Sequence, residues 1–406
     1  MSPELDRIVR AAAGRIIAAL TARFRDLDLA EEGFADACEA AARTWPAGEV
    51  PADPAAWLYR VATRRALDAV RRRAVHGRLL PDESELEPAC EPEWQDEDML
   101  IPDERLRLIF VCCHPAIAPE SRAALTLRLV CGLAARDIAA SFLISEATLH
   151  QRLTRAKRKI GQAGIPFAVP VPAEWPERLE AVLSTLEVAY AKAHADAAGN
   201  TLQASFAGDI LTLTEALAAM LPDPSEVLAF AALVRFAEAR RPARVDRNGM
   251  MIPLSEQDPA LWDRALIEAG DRYLHRLRNM EITGTRALQA ALHGVWCARP
   301  SLANPPPWPT ILALYDALLR ERDDVIVRLN RAVALAEVAG PAVALAELDA
   351  IACPRLDLFQ PWHAVRADLL NRLGRKAESR AAYARAIEMA EGEAEAAWLR
   401  GRMPAD

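Results

Sequence analysis

Thr148, His150, Gln151, Arg152, Arg155, Lys157 and Lys159 lie close together within LAARDIAASFLISEATLHQRLTRAKRKI, residues 133–160. Glutamine and arginine can pair two hydrogen bonds with the edge of a base, while trailing lysines suit phosphate oxygens. Such chemistry needs a helix that presents them together. Ala134 to Ser141 reads as a short helix and Phe142 to Ile144 as a tight turn. Ser145 is then the N-cap of a second helix, with Glu146 in its first turn, where an acid suits the helix dipole. Ile138, Leu143, Leu149 and Leu153 supply apolar positions that can hold the two helices at a helix-turn-helix angle. A solvated basic helix is the plainer reading, but the turn, cap and polar face together favour duplex DNA.

A second basic helix lies upstream, in AAWLYRVATRRALDAVRRR. From Trp57 to Arg78, seven arginines face one acid, Asp68. Trp57, Leu58, Val61, Ala62, Leu67 and Val70 give this helix its apolar stripe. Trp57, Arg60, Arg64, Arg65, Arg71 and Arg72 are candidates for gripping a single strand, because stacking and backbone contacts do that work. Read alone, the helix is equally a charged surface. The preceding loop carries Pro46, Pro51, Pro54 and Gly48, between a helix ending near Trp45 and one starting near Ala55.

The chain that must position these groups has 406 residues, 52% hydrophobic and only 6% aromatic, with a net charge of −8. Ala, Leu, Arg and Glu dominate, so an all-α fold is expected. The sequence divides into 5–78, an acidic linker 79–104, a helical unit 105–164, a proline-rich connector 165–176 and a long helical region 177–406. The linker segment 81–104 has eleven acids and no Lys or Arg. Gly340 and Gly374 are 34 residues apart, the tetratricopeptide period, and GRKAESRAAYARAIEMA puts Tyr383 and Ala386 where such repeats interlock. Ser379 stands where alanine is usual.

Other chemistry finds less support. Cys112, Cys113 and His114 invite a metal, but neighbours on one helix point about 100° apart and rarely close a tetrahedral site. Catalytic residues, metal and cofactor are all expected to be absent, since no carboxylate pair, phosphate loop or triad emerges. Seven cysteines without a framework suggest reduced thiols in the cytoplasm. The arginines scattered through the first thirty residues argue against a signal peptide, and no apolar run is long enough to span a membrane.

Taken in order, LDLAEEGFADACEAAARTW with AWLYRVATRRALDAVRRR resembles region two of extracytoplasmic-function sigma factors. The helix-turn-helix resembles their region four. DERLRLIFVCCHPAIAPESRAALTLRLVCGL is similar to the hallmark of a subgroup with a C-terminal tetratricopeptide-like extension. LSEQDPALWDRALI, with Asp258, Trp262 and Asp263, resembles a signature within that extension. The resemblance implies two small helical sigma domains, core RNA polymerase and promoter DNA as partners, and no membrane. Leu29 to Ala42 would face polymerase, with Glu31, Glu32 and Asp36 as contacts. Residues 47–54 would hold a flipped base of the melted minus-ten strand, and Arg64, Arg65, Arg71 and Arg72 its phosphates. His150, Gln151, Arg152 and Arg155 would read the minus-thirty-five duplex. Ala35 stands where the family usually has glutamine, and Arg64 where asparagine is frequent. AYAKAHADAAGN lacks the Asn-Glu-Gly-Tyr stretch common in relatives.

The acidic linker has three readings: a solvated spacer, a strand along the polymerase channel, or a cover over the arginine helix. The C-terminal region is expected to regulate the front half by docking on it or on polymerase, or else only to stabilise it. A conventional regulator, with one helix-turn-helix and a repeat-type sensor, is the rival function; a repeat scaffold that never meets DNA is a weaker one.

Overall fold

A computed structural model describes residues 3–45, 50–77, 104–142, 144–194, 201–221, 225–278, 284–351, 356–390 and 392–405. Among these the regular structure is helical, and the one β feature is an isolated antiparallel bridge between Val245 and Met251. The all-α expectation holds. The chain forms two compact units, Met1–Ala193 and His194–Asp406.

The first unit opens with α1 (Pro3–Phe24), α2 (Leu27–Thr44) and α3 (Pro54–Gly77). Asp26 caps α2, its carboxylate accepting from the Leu29 amide at 2.9 Å. Then come α4 (Arg105–Cys112), α5 (Pro119–Leu125) and a π-helical turn over Thr126–Val130. The helix-turn-helix pair follows as α6 (Ala135–Ser141) and α7 (Glu146–Gln162). Residues 5–78 and 105–164 do not stand apart as separate cores. Helix α1 packs on α2 and α3 and also on α4 and the π turn. The cause is its apolar breadth: Ala12, Ala13 and Ile16 to Leu20 are buried, so the helix needs cover on several sides. The fit is tight enough that a Cβ on Gly14 would overlap the Val130 carbonyl.

The expected connector folds back onto this unit. Arg25 donates to the Phe167 carbonyl at 2.9 Å, and Trp175 Nε1 to the Pro170 carbonyl at 2.8 Å. Helix α8 (Trp175–His194) follows, and its Arg178 donates to the Phe110 carbonyl at 2.7 Å. The compact-unit boundary thus falls at Ala193, after α8, and not at residue 177, because α8 is anchored on α4.

In the second unit α10 (Ser225–Ala239) is buried along nearly its whole length, with α9 (Thr201–Met220), α11 (Arg264–Arg278) and α12 (Thr285–Cys297) packed around it. Asp258 and Asp263 cap the turns that follow them, accepting from the Ala260 and Leu266 amides. Trp262 between them plugs a cluster with Phe236, Ile267 and Cys297. Past α13 (Trp308–Glu321), helices pair as α14 (Val325–Ala339) with α15 (Pro341–Asp349), then α16 (Gln360–Arg372) with α17 (Lys376–Glu388), before α18 (Glu393–Arg402). Gly340 and Gly374 sit at the turns inside these pairs with φ of 93° and 74°, where a side chain would be strained.

Candidate nucleic-acid interface

Helix α7 begins as its sequence indicates. Ser145 is extended, and its hydroxyl accepts from the Thr148 amide at 3.2 Å. Leu149, Leu153 and Ala156 are buried and fix the phase of the helix. At about 100° per residue, Thr148, Gln151, Arg152, Arg155 and Lys159 fall within an arc of about 100° on the side away from that core. Of these, Thr148, Gln151, Arg155 and Lys159 are exposed. They form one polar face that an open major groove could receive.

His150 and Lys157 leave that face. They lie about 20° from each other on the wheel and line a cleft of about 110 Å³ with Glu31, Arg128 and Thr154. The Lys157 ammonium donates to Asp28 at 2.6 Å and to Glu31 at 2.8 Å, both on α2. Burial by itself would lower the Lys157 pKa, but the two carboxylates outweigh it and the pKa is raised.

Helix α3 is two-faced in the same way. Leu58, Tyr59, Ala62, Thr63, Ala66 and Ala69 are buried. Trp57, Arg60, Arg64 and Arg71 share a stripe on the opposite side, with Arg65 and Arg72 beside it, and all five arginines are exposed. Trp57 meets Trp45 edge-to-face, ring centroids 5.1 Å apart, which places two indoles at the mouth of the intervening loop. Residues 46–49 of that loop, the acidic stretch 78–103, Leu143 and residues 195–200 lie outside the described residues.

The candidate polymerase contacts separate on α2. Glu31 is held by Lys157, whereas Glu32 lies 3.7 Å from Arg73 of α3. Asp36 is half-buried and one turn from Glu32. Within Leu29 to Ala42, the side chains of Leu29, Ala30, Phe34, Ala37 and Ala41 face the core. Sequence reasoning placed Trp45 near the loop as an aid to strand stacking, but it missed Asp28 and Arg128, which carry no local signal.

Cys112 and Cys113 are buried, and burial pushes both thiols up. Cys113 Sγ lies 3.5 Å from the Thr126 hydroxyl, and His114 Nδ1 accepts from the Ala116 amide at 3.1 Å. Among the described residues no group of three or more metal-ligating side chains gathers.

With this geometry in view, the matches to known proteins fall in register. Sigma-70 region 2 matches residues 8–75, which hold most of α3, and sigma-70 region 4 matches 107–160, which hold α6 and most of α7. A family of unknown function, DUF6596, matches 178–278. An uncharacterized protein of Rhizobium meliloti is 36% identical over 401 residues, 98% of this chain and 94% of that protein. The chain belongs to the same family. Its first unit carries the domain pair of a sigma factor. The extracytoplasmic-function RNA polymerase sigma factor SigE of Mycolicibacterium smegmatis is 30% identical over 105 residues, 26% of this chain and 40% of that protein. No solved structure matches. Sigma-70 regions 2 and 4 associate with core RNA polymerase and promoter DNA, so the role of this unit is in transcription initiation. Among the described residues no helix is long and apolar enough to cross a membrane.

Proposed function

We propose that the chain is an extracytoplasmic-function sigma factor that binds core RNA polymerase, directs it to specific promoters and helps to open them. In this reading Gln151, Arg152 and Arg155 read the minus-thirty-five duplex, and Lys159 grips its phosphates. The α3 arginines track the melted minus-ten strand, with Trp57 and Trp45 as stacking surfaces. The observation that carries the reading is the pairing, in one compact unit, of an arginine-faced helix with a capped recognition helix whose polar face is open. The protein acts in the cytoplasm and catalyses nothing itself.

The second unit regulates this activity. Its pairs α14–α15 and α16–α17 act as tetratricopeptide-like repeats, supported by glycine turns 34 residues apart and by Tyr383 and Ala386 buried between helices. Repeat surfaces of this kind bind peptides or neighbouring domains.

Purified full chain added to core polymerase should yield run-off transcripts from the promoter upstream of its own coding region. Tight duplex binding without any transcript would favour the conventional regulator instead. To test regulation, the chain should end after Ala193 rather than after Gly164, since α8 belongs to the first unit. Equal transcription by the shortened and full chains under all conditions would reduce the second unit to a stabiliser.

A further inference from the structure

The second unit holds a cavity that plays no part in the nucleic-acid interface. It has a volume of about 390 Å³, and its walls include Asp316 and Leu319 of α13, Arg328 and Arg331 of α14, and Glu347 and Ile351 at the end of α15. That volume falls within the range of small-molecule pockets, about 300–1,000 Å³. Arg331 donates from Nε to Asp316 at 2.6 Å and from Nη1 to Glu347, so one guanidinium ties α14 to both of its neighbours. Burial would lower the Arg331 pKa, but Asp316 and Glu347 outweigh it and the pKa is raised, so the charge is kept. Arg328, one turn earlier, donates from Nε and Nη2 to Asp323 at 2.5 and 2.8 Å.

Both signs of charge keep hydrogen-bonding capacity in reserve. Among the described residues nothing engages Nη2 of Arg331, Nη1 of Arg328, Oδ2 of Asp316 or Oε1 of Glu347. Two guanidiniums and two carboxylates leave this part of the lining neutral. A simple anion would gain from the first pair and be repelled by the second, and a simple cation would suffer the reverse. A ligand with both signs gains from all four. Leu319 and Ile351, both half-buried, add an apolar wall.

We propose that this cavity binds a zwitterion with an apolar body: a free apolar α-amino acid, or a dipeptide of two such residues. The ligand carboxylate takes the unused Nη groups of Arg328 and Arg331, and its ammonium takes the unused oxygens of Asp316 and Glu347. Its side chain lies against Leu319 and Ile351. The ligand then touches α13, α14 and α15 together and braces their packing. Binding depends on neither the sigma reading nor the regulatory one, because it needs no polymerase and no DNA.

The test is calorimetric titration of the full chain with leucine, methionine, phenylalanine and leucyl-leucine. At least one should bind saturably, and a preference for the dipeptide or for a single residue assigns the source. The N-acetyl form of the best binder lacks the ammonium, and its amide lacks the carboxylate. Each should bind about tenfold or more weakly, since one set of charge-assisted hydrogen bonds is lost. Arg328 is 45% exposed, so Arg328→Gln leaves the fold intact. That variant should lose about tenfold in affinity for the best binder but nothing for its amide, which has no carboxylate to offer. No binding of any of the four ligands, equal binding of the blocked forms, or full affinity in Arg328→Gln overturns the proposal.

Discussion

The two units use arginine in opposite ways. In the first, Arg60, Arg64, Arg65 and Arg155 stand on exposed helix faces. In the second, Arg235, Arg240 and Arg299 are buried. Arg299 donates to the carbonyls of Asn304, Ser255 and Leu302 at 2.6, 2.6 and 3.0 Å. Arg235 stacks over the Tyr273 ring at 4.6 Å and donates to Thr214, while Arg240 meets His293 at 2.8 Å. A buried guanidinium has taken its partners from the fold, and these three arginines stabilise the second unit. In the proposed function the exposed arginines of the first unit serve affinity for DNA.

The sharpest way to break that contrast is Arg299→Met. It would leave three carbonyls without their donor, each worth about 1–3 kcal/mol when unsatisfied. Unfolding of the second unit in urea should lose about 3 kcal/mol or more. A loss under about 1 kcal/mol would mean that water replaces the guanidinium and that the burial is incidental.

Arg155→Ala should do the reverse. Stability should stay within about 0.5 kcal/mol, as expected for an exposed side chain. Discrimination among minus-thirty-five sequences should fall by about 1–3 kcal/mol, measured as the ratio of specific to random duplex affinity at fixed salt. Weakening that is uniform across sequences would make Arg155 a phosphate contact instead.

How much of this was legible in the sequence follows from the range of each interaction. The Ser145 cap and the turns at Gly340 and Gly374 depend on neighbours within a few residues, and they appear where expected. The Asp258, Trp262 and Asp263 signature resolves into two local caps and one core plug. By contrast, α8 reads as the start of the repeat region until Arg178 is seen on the Phe110 carbonyl, 68 residues away. The Lys157 bridge spans 129 residues to Asp28. A helical wheel separates His150 and Lys157 from Thr148, Gln151, Arg152, Arg155 and Lys159, but no local pattern says which element they meet.

Arg178 is the exception within unit one, since it is buried, and it bears on the His114 beside it. Burial, and then the nearby Arg178 charge, lower the His114 pKa from its ordinary 6.5. Its Nδ1 must also stay unprotonated to accept from the Ala116 amide. The unfolded chain therefore takes up this proton first as pH falls. The histidine contributes stability above pH 6.5 that is lost as pH drops through its lower folded value. Thermal unfolding of the first unit, followed from about pH 7 to about pH 5, should show a decline that His114→Asn makes shallower. An identical slope in the variant would remove His114 from the account. The group is only half-buried, so the effect is modest.

The smallest expected effect concerns Ser379, where the repeat pattern favours alanine. The side chain is fully buried, and its hydroxyl donates to the Ala367 carbonyl at 2.9 Å, tying α17 to α16. That carbonyl lies inside α16, where the helical ladder already supplies a donor, so removing the hydroxyl leaves no orphaned acceptor. The methyl that remains in Ser379→Ala fills nearly the same space. Loss of one neutral hydrogen bond against relief of one buried polar group should nearly cancel, within about 1 kcal/mol. Arg299→Met and Ser379→Ala thus remove buried donors of the same unit with opposite consequences. The difference lies in what is left behind: three unpaired carbonyls in one case and none in the other. A urea midpoint for Ser379→Ala as depressed as that for Arg299→Met would show that the hydroxyl fixes the α16–α17 packing itself, and not merely one contact within it.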